Sequence, residues 1–178
     1  GNELNDATFY QYKLFNRSAN QLNKTYIAQW IDPDLGSHLD DYVGCDVGRG
    51  LGFCYNGDDN DRDSLGVPGY GLTPPAIGVD FFKGPKADSS DGIDNDRDGF
   101  TDEVDEQIIM SNFLYYDNTQ SAKNGNPASA IHFYNYLRNL WGDGEPCRYD
   151  FADGTSTDTS FKATNFMFPG RSDSTGQW

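Results

Sequence analysis

The first third of the chain alternates large apolar and polar residues, a pattern typical of half-buried β-strands. Residues 7–15 (ATFYQYKLF) alternate in this way, and residues 25–31 (TYIAQWI) are rich in β-forming side chains. Turn-forming residues separate the two, so we predict a hairpin. Further strands are predicted at residues 41–47, 51–56, 76–82, 108–116 and 163–168. Short antiparallel strands with long loops predict a mainly β fold with a sandwich-like body.

One segment has the pattern of an amphipathic helix. Apolar residues recur at helical spacing between Ala130 and Trp141. Asn126, followed by a proline, is typical of a helix start, and Gly142 lies just past the last apolar position. We therefore predict a single helix near residues 127–141, with its apolar side packed on the sheet.

Length and charge narrow the possible functions. With 178 residues, the chain is long enough for one domain with a core, so we expect residues 1–178 to form a single domain, which is a segment of a larger protein. No run approaches the roughly 20 apolar residues that a membrane span needs, so membrane insertion is not expected. A net charge of -15 repels nucleic acids and anionic membranes, and favours cations as partners.

The acidic residues are strongly biased towards aspartate. Asp supplies 24 of the 28 acidic side chains. Glutamate suits the surface of a helix, whereas aspartate favours caps, turns and metal-binding loops. The bias therefore predicts a loop-rich protein with little helix, and it directs attention to the places where aspartates cluster.

Residues 91–106 (DGIDNDRDGFTDEVDE) carry eight carboxylates. Numbered from Asp94, the segment has aspartates at positions 1, 3, 5, 9 and 12 and Gly99 at position 6, which is the ligand spacing of a calcium-binding loop. Glycine at position 6 allows the left-handed backbone that turns the chain around the ion. The predicted ligands are the side chains of Asp94, Asp96, Asp98, Asp102 and Asp105 and the carbonyl of Phe100. The alternative is a solvated acidic turn.

Two other aspartate clusters are weaker candidates for cation sites. The string D-N-D-R-D recurs at Asp59, Asp61 and Asp63, but serine replaces the glycine and later ligand positions are apolar or aromatic. This copy is either a weak or shared metal site or a polar hairpin tip. The third cluster follows a predicted strand, and it is either a metal site or a set of turn caps. Its preferred ligands are Asp32, Asp34 and Asp41. In total we expect two or three calcium ions.

The three cysteines are too few for a disulfide framework and lack the spacing of a zinc site. Cys45 and Cys54 flank a glycine-rich turn, so they either form a bridge across a hairpin or remain free. Cys147 is either free or paired outside this segment.

Several stretches resemble known extracellular proteins. The acidic loop resembles the helix-free calcium loops of thrombospondin type-3 repeats and shares the spacing of dockerin loops. It departs from an EF-hand because no helix precedes it and position 12 is aspartate, with Glu106 one place later as an alternative ligand. Residues 25–58, 74–85, 91–103, 106–118, 132–146 and 165–176 are similar to a segment of the large cell-surface or secreted proteins of Bacteroidetes that use type IX secretion. This resemblance implies an extracellular, multidomain parent and no established reaction.

Three functions are compatible with these features. The first is a non-enzymatic, calcium-stabilised extracellular module that forms a structural or adhesive part of a surface protein. The second is a carbohydrate-binding module, with Trp30, Trp141 and Trp178 as candidate stacking residues, although Trp30 and Trp141 fit core positions better. The third is a hydrolase, which is disfavoured because no nucleophile, metal-histidine or phosphate-binding motif occurs. Candidate partners are calcium, glycans and other surface proteins.

Overall fold

In the computed structural model, which describes residues 2–173, the strands pair in two antiparallel sheets. The strand bounds are β1 Asp41–Asp46, β2 Leu51–Asn56, β3 Asn60–Asp61, β4 Gly71–Leu72 and β5 Ala76–Asp80. The main sheet has three strands in the order β1–β2–β5, and the second sheet joins the short strands β3 and β4. The chain has more strand than helix, and the predicted antiparallel pairing is confirmed.

The three strands of the main sheet coincide with segments that the sequence pattern predicted as strands. Tyr42 of β1 lies opposite Tyr55 of β2, and Leu51 of β2 lies opposite Asp80 of β5. A four-residue turn joins β1 to β2 and ends at Gly50, whose φ of 68° suits glycine. The strands predicted at 41–47, 51–56 and 76–82 are therefore confirmed, the second with the predicted bounds and the other two slightly shortened.

The apolar core lies next to the outer edge of β1, the edge that faces away from β2. It consists of Trp141, Cys147 and Met167, all at most 4% exposed. The Trp141 indole N–H donates to the carbonyl of Gly154 at 2.8 Å, so the one polar atom of this buried ring is satisfied. The chain after the core runs along β1, where the Cys45 N–H donates to the carbonyl of Phe168 at 3.1 Å. The core position predicted for Trp141 is confirmed.

The helix is shorter than predicted. It spans Ala130–Leu137, with Ser129 as the N-cap: the Ser129 hydroxyl accepts a hydrogen bond from the His132 N–H at 3.3 Å. The predicted start at Asn126 is therefore wrong, because a serine closer to the helix satisfies the free N–H groups. Its C-terminal end breaks because Asn139 has a φ of 57°, which no helical residue adopts. Among the residues described, no helix is long and apolar enough to cross a membrane.

The hairpin predicted for the first third of the chain does not form. Within the described residues, no backbone-to-backbone hydrogen bond involves residues 8–34. Alternation alone does not supply a partner strand, and the large side chains of this segment stay mostly exposed, with a few of them contacting rings from distant parts of the chain. Phe9 stacks on Phe82 with a centroid distance of 5.9 Å. Trp30 is 66% exposed, which corrects its predicted core position, and its indole N–H donates to the Tyr116 hydroxyl.

The two later strand predictions reduce to isolated pairings. Residues 108–116 and 163–168 contain no regular strand, but Phe113 and Phe166 form a parallel bridge. A sandwich of two packed sheets therefore remains a prediction, since the described residues form one three-stranded sheet and one pair of two-residue strands.

The cysteines are buried and free. The sheet register places Cys54 opposite Val43 and Cys45 opposite Gly52, so the two cysteines are diagonal neighbours rather than direct partners. The Cys45 thiol donates to the Met167 carbonyl, and burial raises its pKa to about 12. The open possibility of a Cys45–Cys54 bridge is thus resolved in favour of free thiols.

Candidate cation site

The acidic loop, residues 91–106, is closed at its neck by a short antiparallel pairing. Lys86 and Gln107 form an isolated bridge. On either side of it, the Ala87 N–H donates to the Glu106 carbonyl and the Ile108 N–H donates to the Pro85 carbonyl, both at 2.9 Å. The neck brings the end of the loop back against its beginning, and it fixes the backbone of Glu106.

Inside the loop, aspartate side chains fold back onto nearby backbone N–H groups. The two oxygens of Asp94 accept from the N–H groups of Asp98 at 3.1 Å and Gly99 at 3.0 Å, and Asp98 accepts from Phe100 at 2.9 Å. Gly99 has a φ of 103°, as the spacing predicted for the sixth position. These local hydrogen bonds curl the chain tightly and gather the carboxylates.

The curl assembles two groups of carboxylates that share one residue. We call Asp94, Asp96 and Glu106 the inner group, and Asp96, Asp98 and Glu103 the outer group. In each group, one oxygen from every side chain lies within 4.8 Å of the others. Oxygens bound to a single calcium ion at about 2.4 Å are at most about 5 Å apart, so each group has suitable dimensions.

Glu106 is the buried member of the inner group. It is 6% exposed, and its Oε1 accepts a hydrogen bond from the backbone N–H of Asn95. Its Oε2 is buried and has no hydrogen-bond partner among the described residues. Leaving a charged acceptor unpaired in this way costs upwards of about 1–3 kcal/mol, and a cation bound to Asp94 and Asp96 would remove that cost.

Little positive charge compensates the two groups. In the part of the chain that the structure describes, the loop makes one ion pair, between Lys86 and Asp105, whose hydrogen bond lowers the pKa of Asp105. Burial, together with the charges of Asp98 and Asp96, raises the pKa of Glu103. Carboxylates about 5 Å apart repel by roughly 1 kcal/mol in water and by about 3–4 kcal/mol at an effective dielectric constant of 20. The arrangement therefore favours binding of a cation.

The side chains of Asp102 and Asp105, the other predicted carboxylate ligands, lie outside both groups. Asp102 accepts a hydrogen bond from the Gly92 N–H at 2.9 Å, and Asp105 is held by Lys86. The role of the Phe100 backbone carbonyl as a ligand stays a prediction. The spacing therefore identified three of the clustered side chains, and sequence reasoning named Glu106 only as an alternative. It missed Glu103, for which the calcium-loop pattern contains no signal.

The second copy of D-N-D-R-D has a different role. Asp61 is 1% exposed, and it accepts hydrogen bonds from the N–H groups of Ser37 at 3.2 Å and Tyr70 at 2.8 Å. Asp63 accepts from a neighbouring glycine N–H, and Asp59 is exposed on the surface. Its three aspartates do not form a metal-sized group, and Asp61 instead holds two loops together.

The side chains of the third cluster, Asp32, Asp34 and Asp41, also do not form a metal-sized group. Asp32 and Asp34 are exposed, and one oxygen of Asp41 accepts from the Leu35 N–H at 3.1 Å. The other oxygen of Asp41 is buried without a hydrogen-bond partner among the described residues, and burial raises the pKa of Asp41 against the effect of the Leu35 hydrogen bond. Within residues 2–173, the groups of clustered metal-ligating side chains both belong to the acidic loop.

No protein-family model matches the chain, and no curated protein or solved structure is significantly similar to it. The function is therefore argued from the chemistry of the acidic loop.

Proposed function

We propose that the chain is a non-enzymatic, calcium-stabilised extracellular module, which serves as a structural or adhesive part of a bacterial surface or secreted protein. The inner group, Asp94, Asp96 and Glu106, binds the first calcium ion. The outer group, which adds Asp98 and Glu103 and shares Asp96, provides the candidate ligands of a second ion.

The observation that carries this proposal is the state of Glu106. One oxygen of its carboxylate lies within 4.8 Å of oxygens of Asp94 and Asp96. A carboxylate that is 94% buried normally has partners for both oxygens, yet the Oε2 of Glu106 has none among the described residues. A bound cation satisfies this oxygen and removes the mutual repulsion of the inner group at the same time. Solvated acidic turns keep their carboxylates in water and gain nothing from such burial.

The donor set favours calcium over other metals. All of its candidate ligands are oxygens, and neither histidine nor cysteine belongs to the groups. The ligands come from an irregular loop, and calcium tolerates such variable geometry, whereas magnesium requires a near-ideal octahedron and retains its waters.

An extracellular location fits this chemistry. Calcium sites in extracellular modules have dissociation constants of about 10⁻⁴ to 10⁻³ M, and free calcium outside cells is abundant enough to fill them. The resemblance of several stretches of the sequence to Bacteroidetes surface proteins implies the same location. The bound calcium then stabilises a single conformation of residues 91–106.

The direct test is calorimetric titration of calcium into metal-free protein. We expect saturable binding with a dissociation constant at or below about 10⁻³ M, and much weaker binding of magnesium. A wild-type protein that shows no calcium binding at millimolar concentrations would overturn the proposal.

Carbohydrate binding is a second candidate function, because exposed aromatic rings border a cavity. Tyr149 and Phe151 are 50% and 84% exposed, and their rings meet edge to face at 5.0 Å beside a cavity of about 270 Å³ that Phe168 also lines. Exposed aromatic faces can stack on sugar rings. Trp141 is buried and offers no such face, and Trp178 lies outside the described residues. Glycan-array binding that is lost in Phe151→Ala would favour this function.

A further inference from the structure

Arg97 lies at the tip of the acidic loop, between two clustered aspartates, and yet it does not neutralise them. Its φ is 58°, in the left-handed region. Its guanidinium donates to two carbonyls outside the loop, to Met110 at 2.9 Å and to Val47 at 3.2 Å. It also lies 5.6 Å from the ring centroid of Phe166. The fork geometry of arginine allows it to hold two acceptors at once.

These contacts join the loop to three separate parts of the fold. Val47 is the first residue of the turn between β1 and β2, and Met110 follows the neck of the loop. Phe166 pairs with Phe113, which packs against the apolar core. A single side chain therefore connects the candidate cation site with the main sheet and with the core.

The second copy of D-N-D-R-D, residues 59–63, shows the other role that this arginine can take, which is to pair with an aspartate. Arg62 occupies the position that corresponds to Arg97, but its guanidinium donates to Asp58 at 2.8 Å and lowers the pKa of that carboxyl. In that copy the arginine serves as the counter-ion of an aspartate. In the acidic loop, by contrast, Arg97 donates to neutral carbonyls. The carboxylates of Asp96 and Asp98 therefore remain available to bind a cation.

We propose that Arg97 is a positioning residue that couples cation binding in the acidic loop to the β1–β2 turn. The inference rests on the proposed function, and on the buried, unpaired oxygen of Glu106 that points to a cation in the inner group. In the metal-free protein, Asp96 and Asp98 compete with these two carbonyls for the guanidinium, because charge-assisted hydrogen bonds are stronger than those to neutral carbonyls. A bound cation neutralises the aspartates, and Arg97 then stays on Val47 and Met110.

The test measures amide hydrogen exchange with and without calcium, after calorimetry has shown which variants bind the ion. In the wild-type protein, calcium slows exchange both in the acidic loop and in the β1–β2 turn, residues 47–50. In Arg97→Ala we expect calcium still to protect the loop, while its effect on residues 47–50 falls at least tenfold. Arg62→Ala is the matched control, and it leaves the calcium response of residues 47–50 unchanged.

An unchanged calcium response of residues 47–50 in Arg97→Ala would overturn the inference. If that variant does not fold, Arg97→Lys decides instead. It keeps the charge but loses the planar fork, so the response of residues 47–50 falls while calcium still binds; an undiminished response would equally contradict the coupling. A wild-type protein that binds no calcium refutes the proposed function itself, and calorimetry separates that result from a failure of the coupling.

Discussion

Glu106→Gln is expected to weaken calcium binding by more than about 100-fold. Mutating groups that merely orient a metal ligand costs about 10- to 100-fold in affinity, and Glu106 is proposed to bind the ion directly. Glutamine keeps the shape of the side chain and an oxygen that accepts from the Asn95 N–H, so the loop retains its hydrogen bond. Titration calorimetry on the metal-free variant measures the change.

Asp105→Asn is the matched control for this prediction. Asp105 occupies the twelfth position of the calcium-loop spacing, but it is 70% exposed at its side chain and paired with Lys86. We expect its calcium affinity to stay within about threefold of wild type, since exposed ion pairs contribute only about 0–1 kcal/mol. A large loss in Asp105→Asn together with a small loss in Glu106→Gln would show that the spacing, and not the inner group, describes the site.

The second large effect is expected at Asp61, and it does not depend on calcium. Asp61→Ala leaves the N–H group of the buried Ser37 and the N–H group of Tyr70 without their acceptor, which should lower the free energy of unfolding by about 2–4 kcal/mol. A β-carbon added to Gly36 would lie 2.0 Å from an Asp61 oxygen, so the two loops approach as closely as glycine allows. Urea unfolding, in calcium and in EDTA, measures the loss.

Asp59→Ala is the control, because Asp59 is exposed and its backbone carbonyl, not its side chain, accepts from Thr73. Its free energy of unfolding should stay within about 0.5 kcal/mol of wild type. A loss in Asp61→Ala that appears only when calcium is present would contradict the structural role, and would restore Asp61 as a metal ligand.

The sequence predicts the local features of the site better than its long-range ones. The D-x-D-x-D-G spacing correctly placed the curl of the chain and the left-handed Gly99, because both depend on residues a few positions apart. Glu106 reaches Asp94 and Asp96 only because residues 85–87 pair with residues 106–108 at the neck of the loop. No local sequence pattern encodes that pairing. The same limit explains why D-N-D-R-D gathers carboxylates in one place and anchors two loops in the other.

In the fold, too, local features were predicted better than long-range ones. The β1–β2 hairpin was predictable because alternating residues flank a short glycine-rich turn. Residues 7–15 alternate just as well, yet within residues 2–173 no strand pairs with them, since alternation describes the two faces of a strand and not its neighbour. The start of the helix was misjudged because Ser129 caps it in place of Asn126, and both residues are good caps in isolation.

The central claim is that divalent ions hold the acidic loop together, and the melting temperature of the metal-free protein with and without calcium tests it most directly. At a calcium concentration of about 100 times the dissociation constant, binding to the folded state alone adds about 2.7 kcal/mol. For a chain of this size that raises the melting temperature by roughly 5–10 °C. We expect this rise in calcium and its reversal by EDTA; identical melting curves in calcium and in EDTA would contradict the account.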